Sequence, residues 1–65
     1  MNIGKSIRVA LAMHEKDMNW LAQQMDCSGA HVRKLSNQES ATGATIKKLA
    51  AVFGMPASQF IALGE

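Results

Sequence analysis

Sixty-five residues with a mass of 7.0 kDa leave room for one small domain and exclude an enzyme of two domains built around a cleft. Hydrophobic residues make up 48% of the chain and charged ones 18%, which excludes disorder as the main state, because chains stay unfolded for want of apolar surface to bury. Seven Lys and Arg against five Asp and Glu give a net charge of +2, which permits an anionic partner without requiring one.

The single Cys27 cannot close an intrachain disulfide, so a secreted disulfide scaffold is excluded and a reducing compartment is expected. Cys27 and His31, with His14 far off, are too few ligands for a closed zinc site, so neither a metal nor a cofactor is expected. The chain has no apolar run of about 20 residues, and Met1-Asn2-Ile3-Gly4-Lys5 lacks the apolar stretch of a leader. The expectation is a cytoplasmic protein without a membrane partner. Packed helices must then supply the stability.

No stretch shows the period-two alternation that strands need, and Tyr is missing altogether. Asn2 is placed to cap a first helix reaching about Glu15. Ile3, Ile7, Ala10, Leu11 and His14 form its inward arc, Lys5, Arg8 and Ala12 face outward, and Val9 and Met13 lie on the flank. Asp17 caps a second helix, Met18 to Met25, with Leu21, Ala22 and Met25 inward. Asp26 tolerates the left-handed backbone that ends a helix, and Ser28 caps a third from Gly29 to Ser36 with Val32 and Leu35 inward. The polar stretch from Ser36 to Ala41 is a loop in which Asn37 suits a left-handed exit.

Thr42 caps a fourth helix to about Phe53, with Ile46, Leu49, Ala50 and Phe53 on one face and Lys47, Lys48 and Ala51 on the other. Gly54 ends it, Pro56 opens a last short helix carrying Phe60 and Ile61, and Gly64 closes that one. The prediction is an all-α domain of five short helices. Trp20 points away from Leu21, so it either covers the edge of the core or offers an exposed aromatic contact.

The segment from residue 18 to residue 37 carries the functional information. Counted from Met18, the inward Leu21, Ala22, Met25, Cys27, Val32 and Leu35 fall at positions four, five, eight, ten, fifteen and eighteen of two short helices flanking a tight turn. This spacing resembles the helix-turn-helix motif. Ala22 has a physical reason to be small, since helices crossing steeply over a short turn bring it close to the other backbone.

Taken together, Ile3-Gly4, Ile7-Arg8, Leu21-Ala22, Ser28, Val32, Leu35 and the run Leu49-Ala50-Ala51-Val52-Phe53-Gly54-Met55 resemble the phage repressor and Cro family, also called XRE-type, over residues 3–63. The chain departs from the family in having Met18 where a phosphate-binding Gln is usual, Asp26 where the turn usually has Gly, and a loop after the third helix about one residue shorter. The resemblance implies a compact five-helix, lambda-repressor-like domain that binds double-stranded DNA. The third helix would lie in the major groove and the second would cross the backbone.

On that reading the outward residues Ser28, Gly29, Ala30, Arg33 and Lys34 read base edges. Arg33 can donate two hydrogen bonds to guanine O6 and N7, Lys34 is a point donor, Ala30 fits a thymine methyl, and Gly29 permits close approach. Met18, Asn19, His31, Asn37, Gln38, Ser40 and Thr42 are the candidates at the sugar-phosphate backbone, helped by the amide ends of the second and fourth helices. Each has a plainer reading. Arg33 and Lys34 are ordinary on a solvated face if the motif is set aside, Asn37 and Thr42 are accounted for as helix punctuation, and Lys47 and Lys48 suit solvent.

The implied function is a Cro-like phage or prophage repressor in a bacterial host, associated with the nucleoid and binding an inverted-repeat operator as a dimer. A single domain with nothing further after the motif is expected, and that expectation favours the Cro type over larger repressors. Met55, Pro56, Phe60, Ile61 and Leu63 are the candidate surface for a weak homodimer strengthened on DNA. The rival reading is a helical protein-interaction module, an antitoxin or antirepressor that keeps the fold. Catalysis is not expected, because no paired carboxylates, activated nucleophile or Gly-rich phosphate loop is present.

Overall fold

The computed structural model describes residues 2–65, so Met1, read above with the start of the chain, lies outside the described residues. Its elements in order are α1 (Ile3–Met13), α2 (Met18–Gln24), α3 (Gly29–Ser36), α4 (Gly43–Val52) and α5 (Ala57–Ala62), with no strand among the described residues. An isolated helix shorter than about 12–15 residues is marginal in water, and the longest here has 11. Local signals therefore start these helices, and packing holds them.

The starts follow the caps. Asn2, Asp17, Ser28 and Thr42 accept the backbone N–H of Lys5, Trp20, His31 and Thr45 at 3.0, 2.8, 3.2 and 3.3 Å. Pro56 makes no such bond, but its φ of −69° already suits a helix entry. The chain leaves α2 through Asp26 at φ 53° and leaves α4 through Gly54 at φ 69°, both in the left-handed region, as expected.

Two exits differ from expectation. The first helix ends at Met13, two residues short of Glu15, because Glu15 itself takes φ 55° and turns the chain out of the helix. His14 consequently leaves the inward arc. It is exposed, and its ring leans on the outside of Phe53 with centroids 5.3 Å apart. Asn37 stays at φ −105°, and its amide nitrogen donates to the Arg33 carbonyl at 3.0 Å, so a side chain closes α3 where a left-handed residue was expected.

The core is one cluster drawn from all five helices, in which Ile3, Ile7, Leu21, Val32, Leu49 and Phe60 have no exposed surface. Phe53 lies nearly parallel to Phe60 at 6.1 Å and tilted against Trp20 at 5.9 Å. Trp20 thus takes the first of its two expected places, half-buried at the edge of the core, with the Lys16 ammonium 5.7 Å from its ring centre. Phe60 must be struck from the candidate dimer surface, since it fills the centre of the molecule. Met55, Ile61 and Leu63 are half-buried against the core, and among the described residues the large apolar side chain that stands in solvent is Met13, on α1.

α1 packs on both α3 and α5, α2 on α3, and α4 on α5. Between the start of α1 and the end of α3, backbone meets backbone. The first amides of a helix have no partner within it; here Ile3 N–H donates to the Glu39 carbonyl at 3.0 Å and Gly4 N–H to the Gln38 carbonyl at 2.8 Å. A Cβ at Gly4 would run into the Ser36 carbonyl, so glycine is required for the contact. Gly64 plays the same part at the other end, where a Cβ would meet the Asn2 carbonyl and Ser6 Oγ, itself buried without a hydrogen-bond partner.

The same substitution at two glycines should therefore have opposite signs. Gly4→Ala forces the α1–α3 contact apart and is expected to cost about 1–3 kcal/mol. Gly43→Ala meets nothing within 4 Å at the exposed start of α4 and should gain about 0.5 kcal/mol by stiffening the unfolded chain. Urea denaturation of both variants checks the pair; a neutral Gly4→Ala would overturn the packing described here.

Candidate nucleic-acid interface

Burial decides which sides of α2 and α3 are left for a partner. Leu21 and Ala22 of α2 and Val32 and Leu35 of α3 turn into the core, and the residues 25–28 between the helices make a turn that Asp26 can close because Asp tolerates a positive φ. What remains outward on α3 is Ala30, His31, Arg33 and Lys34, all exposed, with Ser28 exposed at its start and Gly29 half-buried. Of the five residues expected to read bases, Ala30, Arg33 and Lys34 share the side of the helix away from Val32 and Leu35, whereas Ser28, four and seven residues before those two, caps the helix on their side and Gly29 lies between. Ser28 Oγ accepts the His31 N–H and keeps its own proton for an outside acceptor.

A Cβ at Gly29 would find Asn19 Oδ1 at 3.9 Å. Asn19 therefore stands beside the first turn of α3, and the missing side chain leaves that turn open to approach.

A shallow depression between the C-terminal half of α3, the following loop and the start of α4 brings together His31, Lys34, Gln38, Ser40 and Thr42. Four of these, all but Lys34, belong to the seven candidates for backbone contact. Met18 and Asn19 lie elsewhere, at the start of α2, and Asn37 is exposed at the end of α3. Met18 is half-buried against the core and has no proton to donate, so it cannot replace a phosphate-binding Gln. Thr42 Oγ1 donates to Thr45 Oγ1 at 3.0 Å and accepts the Thr45 N–H, so the hydroxyl proton left for a partner there belongs to Thr45, which the sequence reading passed over.

The charges are mixed. Arg33 and Lys34 occupy the last turn of α3, where cations suit the negative end of the helix dipole. Glu39 lines the depression together with Lys34. The start of α2, expected to offer free amides to a phosphate, is occupied by its own Asp17 carboxylate on Trp20 N–H. Of the two helix starts expected to help at the backbone, that of α4, capped by the neutral Thr42, is left uncharged.

The sequence reading also missed Arg8. It was assigned only to an outward face, yet its guanidinium donates to the Ser36 carbonyl at 2.6 Å. No local pattern could have found this, because the partner lies 28 residues away.

Among the described residues no three His, Cys, Asp or Glu side chains are grouped to hold a metal ion, and no helix is long and apolar enough to cross a membrane. Compared with family models, with curated proteins and with solved structures, the chain finds no match in any of the three.

Ser28 is expected to matter to α3 independently of any partner. Ser28→Ala removes the cap and should cost about 1 kcal/mol, while Ser28→Asp should retain it. Chemical denaturation separates the two, and equal stability of Ser28→Ala and the parent would remove the capping role.

Proposed function

We propose that the chain is a sequence-specific double-stranded DNA-binding regulator of the Cro type, with α2 and α3 as a helix-turn-helix in a lambda-repressor-like domain. The observation that carries this reading is the exposure of Arg33 and Lys34 on the side of α3 opposite buried Val32 and Leu35, behind a short turn held by Asp26 at φ 53°. A helix presenting Gly29 and Ala30 in its first turn and two cations in its last can enter a major groove about 12 Å wide without steric obstruction.

Arg33 pairs with a guanine through O6 and N7, Lys34 adds a base or phosphate contact, and the groups around the depression set the register on the backbone. Two copies on an inverted repeat, with half-sites about one helical turn apart, occupy an operator and block the promoter it overlaps. The tail residues Met55, Pro56, Ile61 and Leu63 remain the proposed contact between copies, a weak one that DNA reinforces. The protein acts in the cytoplasm of a bacterial host, at the nucleoid, and carries out no chemical step.

Selection of binding sites from random duplex DNA tests the reading directly, with recovery of an inverted repeat expected and recovery of no preferred sequence overturning it. On the selected site, the affinity of a dimer that neutralises roughly 4–8 phosphates should fall with salt at a log–log slope of about −4 to −7. Arg33→Ala should cost about 1–3 kcal/mol on that site with helix content unchanged. An unaltered binding constant would take Arg33 out of the base-reading role, and a nearly flat salt dependence would favour the rival reading as a protein-interaction module.

A further inference from the structure

All four terminal carbonyls of α3 are bound, the last of them by α1. A helix leaves its last four carbonyls without internal partners. In α3 those are the carbonyls of Arg33, Lys34, Leu35 and Ser36. The Arg33 carbonyl accepts from Ser36 Oγ at 2.7 Å and from Asn37 Nδ2 at 3.0 Å. Those of Lys34 and Leu35 accept the N–H groups of Asn37 and Gln38 at 3.2 and 3.1 Å. The Ser36 carbonyl, the last, accepts from the guanidinium of Arg8 at 2.6 Å. Just beyond it, the carbonyls of Gln38 and Glu39 take the first two amides of α1.

We propose that Arg8 is a positioning residue for DNA recognition: by holding the Ser36 carbonyl it sets the direction of the last turn of α3 and so the placement of Arg33 and Lys34. The inference rests on the DNA-binding reading for its consequence, though not for its geometry. The bond is charge-assisted, short, and made to the negative end of the helix that carries the reading residues, so it is among the stronger single contacts available to this small molecule. Its site of action is one turn from Arg33, whose own carbonyl is bound by the adjacent Ser36 and Asn37 side chains. A tilt of the last turn therefore moves the cationic side chains with it, and the two-bond match to guanine depends on where they are placed.

The test uses Arg8→Met, which keeps the length of the stem and removes the donor, beside Arg8→Lys, which keeps one charged donor. Arg8→Met is expected to weaken binding to the selected duplex about tenfold, after correction for the folded fraction. The salt slope should remain that of the parent, and Arg8→Lys should recover part of the loss. A slope reduced by about one would make Arg8 a direct phosphate contact and overturn the positioning role. A loss of stability with unchanged affinity of the folded fraction would make it purely structural and overturn it too. Amide hydrogen exchange of the DNA-free protein provides a second readout, with faster exchange expected at Asn37, Gln38 and Gly4 in Arg8→Met. Unchanged exchange there would refute the clamp. If the parent protein prefers no DNA sequence, the regulator reading fails by itself, while the exchange result still decides whether Arg8 sets the end of α3.

Discussion

The contact between the beginning of α1 and the end of α3 is the constraint on which the rest of the arrangement depends. Two first-turn amides of one helix meet two carbonyls just past the other, and Arg8 adds a cation where α3 is most negative. The helices meet positive end to negative end, so partial charges that would otherwise need solvent satisfy each other. Gly4 makes the approach possible and gives a steric reason for the Ile3-Gly4 start. With α1 so placed, Ile3 and Ile7 reach the centre, α5 closes over them, and Gly64 settles against Asn2 and Ser6. A chain of helices too short to persist alone thus gains a frame that holds the outward side of α3 in one direction.

Much of this was legible in the residues and some was not, for identifiable reasons. The four side-chain caps depend on chemistry three residues away, so the helix starts could be read directly. The inward stripes of α2, α3 and α4 follow from the helical period. The end of α1 was misread because apolar periodicity runs on through His14, whereas the backbone turns at Glu15, a residue with no special preference for that conformation. Phe60 was misplaced because a short terminal helix gives too few positions to tell an outer face from an inner one.

In the candidate interface the outward set on α3 could be read from Val32 and Leu35 alone, since burying those two leaves only one side free. The depression beside it could be foreseen only in its members. That Glu39 and Thr45 stand among them, that Thr42 spends its proton on Thr45, and that Asp17 occupies the start of α2 are facts of tertiary placement or of competition for one proton. Arg8 is the extreme case, a residue whose partner is set entirely by how two distant helices meet.

Charge places a further condition on the proposed function. Of seven cationic side chains, Arg8 is engaged with a carbonyl, Lys16 lies over Trp20, and Lys5 reaches the Glu65 oxygen at 3.4 Å. Arg33 and Lys34 on α3 and Lys47 and Lys48 on the outer face of α4 remain, with Asp17 and Glu39 set among the candidate contacts. Sequence-independent attraction to DNA grows with the number of phosphates neutralised, so one copy of this chain has little of it to spend. A regulator built this way must draw its preference from base edges and its strength from a second copy on the same duplex. The first copy to bind then raises the local concentration of the adjoining half-site for its partner's weak contact. Under that arrangement Asp17 and Glu39 weaken the attraction to the backbone of every duplex alike, so the choice between sequences is left to the base edges that Arg33 and Lys34 reach.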